Sequence, residues 1–184
     1  MLACRTYAIM VAAPHRAALP ESEYLMLLAQ SEILISASPD EVWALISDLE
    51  RGPQWSVVTL QCEITSEGPP GVGCTYRSTS KFVASKITTE HEVVEWVPPR
   101  KIVTKVIKGA ESTFTQTCER REAGTVLTMT NEFAPPAGLP GFLADKLTQQ
   151  VTNVLAQELA RIKEVVEESH HVSKSTAPEA GPDK

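Results

Sequence analysis

The feature that most constrains this chain lies near its C-terminal end. Leu139, Phe142, Leu143, Leu147, Val151, Val154, Leu155, Leu159, Ile162 and Val166 recur at steps of three and four. That spacing puts them on one stripe of a helix of about eight turns at 3.6 residues per turn. Glu158, Arg161, Lys163, Glu164, Glu167 and Glu168 read as most of its polar face. Such a helix is not stable alone, because most helical stability comes from packing an apolar face. The chain must therefore supply a surface that covers the stripe, and nearly everything upstream reads as strand.

Ser31–Ala37 alternates and is rich in Ile, as a strand requires. Ser38-Pro39-Asp40-Glu41 follows, with a capping serine, a proline at the first helical position and a capping-box acid at the third. Val42, Trp43, Leu45, Ile46 and Leu49 give the apolar face of a helix that should stop near Asp48–Arg51, before Gly52-Pro53. Extended stretches are expected at Ser56–Ser66, Gly73–Phe82, Ser85–Val97, Lys101–Lys108, Ser112–Glu122 and Thr125–Phe133. The links between them are short and rich in Gly and Pro, which fits an antiparallel meander and leaves no room for crossover helices. The expected class is α+β: a curved antiparallel sheet of about seven strands wrapped on the long helix. Only 5% of the residues are aromatic. A concave sheet lined by smaller aliphatics leaves space against its helix, so an internal cavity is expected.

Composition narrows the function. The 184 residues suit one domain with tails, and the formal charge of −6 argues against nucleic acid and against anionic lipid surfaces. Cys4, Cys62, Cys74 and Cys118 form no C-x-x-C pair and have no histidine at ligand spacing. They read as free thiols in a reducing cytoplasm, with no metal site. No run reaches the roughly 20 apolar residues of a membrane helix, so no stable membrane insertion is expected. Tyr7–Ala13 behind Arg5 is at the lower limit of a secretory signal, and a flexible extension over residues 1–29 is the preferred reading. The domain proper is expected over 30–169, and the polar residues 170–184 as a disordered tail.

Read in order, Ala37-Ser38-Pro39-Asp40-Glu41-Val42-Trp43, Ser47-Asp48-Leu49-Glu50-Arg51, Gln54-Trp55, Gly71-Val72-Gly73-Cys74, Val93-Val94-Glu95-Trp96-Val97-Pro98-Pro99-Arg100, Gly124-Thr125 and the terminal helix carry a resemblance. The chain resembles the START-like helix-grip (SRPBCC) superfamily from about Ser31 to Glu168, and within it the polyketide cyclase/dehydrase-like branch. The resemblance implies the helix-grip fold and a hydrophobic ligand. It does not single out an activity, because the superfamily holds cyclases, dehydratases, carriers and sensors.

Strand alternation nominates the residues of the cavity. The face of Leu127, Met129 and Phe133 carries Asn131 with it. Cys74, Tyr76, Ser78 and Ser80 share one face, with Arg77 on the other. Phe114, Gln116 and Cys118 share a face, and Thr104 shares that of Ile102 and Val106. Phe142, Leu147, Gln150 and Val154 come from the helix stripe, and Trp55 is placed either at the mouth or in the core. His91 has two readings. On the face of Val93 and Thr89 it lies in the cavity as a general base near neutrality. In the opposite register, which Val94 and Trp96 favour, it lies in solvent beside Glu90 and Glu92.

The leading expectation is a cofactor-independent cyclase or dehydratase acting on a polyketide-like substrate. The reaction class is implied by the resemblance. His91 or Tyr76 would move a proton, while Asn131 and Gln116 orient carbonyls. The alternative is a noncatalytic carrier or sensor of a lipid, quinone or other apolar ligand. Convergent polar side chains with His91 among them favour the first, and a wholly aliphatic cavity favours the second. A protein-binding module would have its groove filled by side chains. A homodimer is left open.

Overall fold

The computed structural model describes residues 26–82 and 85–175, the side chains of residues 82 and 170–175 excepted. Residues 1–25 of the expected extension and the tail from 176 onward lie outside the described residues.

Seven antiparallel strands form one open sheet in the order β1-β7-β6-β5-β4-β3-β2. They are β1 Leu27–Ile35, β2 Thr59–Ile64, β3 Thr75–Phe82, β4 Ser85–Val97, β5 Lys101–Lys108, β6 Ser112–Arg121 and β7 Gly124–Phe133. Three helices accompany them: α1 Pro39–Ile46, α2 Gly52–Trp55 and α3 Gly141–Ser175. The chain is thus an α+β helix-grip fold with a meander between its first and last helices.

The local signals act as expected at α1. The Ser38 side chain accepts from the Glu41 N–H, and the Glu41 carboxylate accepts from the Ser38 N–H at 2.7 Å, so two orphan donors are satisfied reciprocally. Gly52-Pro53 does not end the helical region. It opens α2 after a single 3₁₀ turn, since proline is tolerated in a first turn.

Two boundaries need correction. β1 starts at Leu27, so the domain edge placed at residue 30 moves back. Leu27 and Ala29 are buried while Leu28 is 56% exposed. That alternation is hidden in a sequence where Leu25, Met26, Leu27, Leu28 and Ala29 stand together. At the other end α3 continues to Ser175, six residues beyond the expected edge at 169. Polarity is not a helix breaker, and the first proline after the stripe is Pro178.

The core joins α1, one half of α3 and one end of the sheet. Ile35, Val42, Ile46, Ile102, Leu127, Leu155, Leu159 and Ile162 are all fully buried. α3 lies mainly along β1 and also touches α1, α2 and β7. Lys163 Nζ donates to the Leu34 carbonyl and the Ser36 N–H donates to the Glu167 carboxylate, each at 2.8 Å. Gly124 closes the β6–β7 turn at φ +137°, where a Cβ would run into the Ile35 carbonyl. Only glycine fits both constraints.

β4 contains the irregularity that decides the site. Val93 pairs with Thr104, but Glu95 pairs with Val103, so Val94 is an extra residue. A one-residue slip reverses which side chains face inward. His91 and Val93 therefore point in before the bulge, and Trp96 packs inward after it, with Val94 44% exposed. Trp96 meets Trp43 edge-on at 5.2 Å.

Candidate functional site

The sheet curves away from the first half of α3 and leaves a cavity of about 630 Å³ bounded by α2, α3 and the strands. This lies within the range of small-molecule sites. The groove is not filled by side chains, so the protein-binding expectation falls. Among the expected site residues, Trp55, Tyr76, Ser78, His91, Thr104, Phe114, Gln116, Met129, Asn131, Leu147, Gln150 and Val154 all line it.

His91 and Tyr76 are direct partners across β4 and β3, and cross-strand neighbours lie within reach of aromatic side chains. Their rings stack at 4.7 Å with planes 8° apart, and Phe114 stands 6.4 Å from His91 at 50°. His91 is 7% exposed, so the cavity register holds and the solvent register is the one corrected. Its Nε2 lies 2.8 Å from Thr89 Oγ1, while Nδ1 is buried without a partner. Burial lowers the imidazole to about 4, so the ring is uncharged near neutrality. Burial drives the Tyr76 phenol the other way, well above its ordinary value, against a smaller opposing effect of a hydrogen bond with Thr104. The Cys62 thiol in the same wall is also raised by burial.

Asn131 is bonded locally. Its Oδ1 accepts from the Ser112 hydroxyl at 2.6 Å, and both residues are buried. Gln116 Nε2 and Trp55 Nε1 are buried without partners. On the outer face Glu90 meets Arg77 at 3.6 Å and Lys108 at 3.3 Å, as expected for charges directed to water.

Four expected residues are elsewhere. Cys118 follows Phe114 and Gln116 on the same face, but it belongs to the core at the end of the sheet that α1 covers. Cys74 precedes β3 and is buried in that core beside the Ser66 hydroxyl. Phe133 shares the face of Met129 and Asn131 but packs at the far end of β7, opposite Leu27 and Ser112. Phe142 is 79% exposed in the first turn of α3, before the helix meets the sheet.

The missed residue is Glu158. Its charge assigns it to the polar face, yet it is 5% exposed and lines the cavity. It sits three residues after Leu155 and four before Ile162, so its position gives it away while its charge conceals it. Its carboxyl accepts from the Ser56 hydroxyl and from the Val57 N–H. Burial still outweighs both bonds and raises it above the ordinary carboxylate range. Ser56 and Ser112 enter the wall with it. Among the described residues no three His, Cys, Asp or Glu side chains are grouped to hold a metal ion. No described helix is long and apolar enough to cross a membrane.

Comparison with known proteins agrees with this architecture. The ZhuI aromatase/cyclase from Streptomyces sp. R1128 superposes with a TM-score of 0.67 at 18% identity, over 86% of this chain and 99% of that one. The di-domain aromatase/cyclase StfQ of the steffimycin biosynthetic pathway gives 0.69 at 15% identity, over 79% of this chain and 52% of its own length, so the chain spans about half of it. The Thermus thermophilus protein TTHA0849 gives 0.66 at 20% identity, over 77% and 98%. At these identities the likeness is one of fold. No curated protein matches the sequence. Residues 26–167 match the family described as polyketide cyclase / dehydrase and lipid transport, and the chain belongs to that family.

Proposed function

We propose that the protein binds a hydrophobic small molecule in the cavity between sheet and α3, and that it promotes cyclisation or dehydration of a polyketide-like chain there without a cofactor. The observation that carries this reading is the stacked His91–Tyr76 pair on the wall of a large apolar cavity. Family membership supports the class of reaction.

The chemistry follows from the protonation states. His91 is a free base at neutral pH and Tyr76 holds its proton. Enolisation needs a base for the C–H between two carbonyls. The resting imidazole is weakly basic because it is desolvated. The enolate charge that develops beside it pulls its pKa back up, so base strength appears when the reaction needs it. The electron pair released from carbon attacks a second carbonyl of the same chain, and that oxygen takes a proton from Tyr76. In a dehydration, the carbon between the carbonyls gives its second proton to the Tyr76 phenolate while the hydroxyl leaves as water with the proton that His91 had taken, so both side chains return to their starting forms. The curved apolar wall holds the two carbons near each other, and Asn131 and Gln116 orient carbonyl oxygens.

One observation favours a noncatalytic carrier. Several polar groups of the wall bond one another, as Ser112 does Asn131 and Thr89 does His91, rather than standing free for a reacting atom. Native mass spectrometry of the purified protein and of a His91→Gln variant separates the readings. The enzyme reading expects the variant to retain a precursor that is isomeric with the wild-type ligand or heavier by one water. The same unchanged compound in both leaves the carrier.

A further inference from the structure

We infer that the cavity accepts an electrically neutral ligand and turns away the corresponding carboxylate; this rests on the binding reading above and sharpens it. The argument is the charge inventory of the wall. Among its lining residues only Lys81 and Glu158 carry ordinarily charged side chains. Lys81 is an exposed residue of the wall, so its ammonium has water to hand and is no desolvated counter-ion. Glu158 is buried and already engaged by Ser56 and Val57. Arg77, next along β3 from Tyr76, points to the opposite face toward Glu63 and Glu90. No lysine or arginine among the described residues is buried.

A carboxylate entering this space loses its water and finds no counter-ion, which is among the costliest events a protein interior can impose. Glu158 repels it when ionised and offers no positive charge when protonated. A ketone, alcohol, phenol or quinone needs only hydrogen bonds, and the hydroxyls of Ser78, Ser80 and Thr104 line the wall. The titratable neighbours agree. Burial holds His91, Tyr76 and Cys62 each toward its uncharged form, so the wall resists charge of either sign.

The test uses two molecules of the same shape and different charge. Nile red, a neutral fluorescent probe, is bound to the full-length protein at neutral pH. It is then displaced with methyl 2-naphthyl ketone or with 2-naphthoate. The ketone is expected to displace the probe at a concentration about tenfold lower or more, given the cost of an unpaired buried carboxylate. Naphthoate matching the ketone, or a ketone that fails to displace the probe, overturns the neutral-ligand assignment alone. Failure of Nile red itself to bind overturns the binding reading, and this assignment with it.

Discussion

The two halves of α3 carry the same kind of apolar stripe and do different things. In the second half Leu159, Ile162 and Val166 are buried to 5% exposure or less, against β1 and α1. In the first half Leu147, Gln150, Val151 and Val154 face the cavity, and none of them is fully buried. One helix is thus an anchor at one end and a wall at the other. A hydrophobic stripe reports that a surface leaves water. It does not report whether protein or ligand covers it.

The largest expected effect lies in the anchor. Leu159→Ala should cost about 2–5 kcal/mol, as for a large-to-small change at a sealed core site, read as a lower urea midpoint with unchanged slope. Leu159 is 1% exposed. If Leu147→Ala costs as much, the contrast between the halves breaks.

The next effect belongs to His91. Its folded pKa, about 4, lies below its ordinary 6.5. The group therefore contributes stability above pH 6.5 that is lost as pH falls toward 4. The loss is about 3 kcal/mol for a shift of this size, and the His91→Gln variant should not show it. Urea midpoints at pH 7 and pH 4 measure the difference, and an equal fall in both proteins would mean the imidazole is not held neutral by the fold.

Leu147→Ala should cost about 1 kcal/mol or less and change the affinity for Nile red more than it changes the unfolding midpoint. Glu158, between the halves, has the opposite pH sign to His91. Its raised folded pKa gives stability that is present in acid and lost as pH rises through that pKa. Glu158→Gln keeps the acceptor for Ser56 and removes the ionisation. It should be more stable than wild type at pH 8, with the advantage shrinking toward pH 4. Phe142→Ser should change stability by about 0.5 kcal/mol or less, because the ring is 79% exposed.

The fold was largely legible in the sequence because its signals are local. The Ser38–Glu41 box, the glycine and proline turns and the helix period each act within a few residues. The site was legible only where strand phase is continuous. Tyr76, Ser78 and Thr104 follow from alternation. His91 stayed ambiguous because Val94 is a bulge, and a bulge is defined by the partner strand rather than by its own sequence. Cys118 and Phe133 show the complementary limit. Alternation names a face, but the cavity occupies only part of it, and where it ends depends on α1 and on the path of β1. Glu158 was hidden by the habit of assigning charge to water.

The bonds from Lys163 to the Leu34 carbonyl and from the Ser36 N–H to Glu167 have a consequence for self-association. β1 is an edge of the open sheet, and an unprotected edge strand is a template on which another chain can add a strand. Side chains of α3 occupy backbone groups at the end of that edge, so the helix is a guard as well as a wall. The other edge, β2, is defended differently, by its six-residue length and an irregular register at Thr59–Gln61. Removal of the Lys163 and Glu167 side chains would therefore be felt first as a tendency to aggregate, ahead of any change in what the cavity holds.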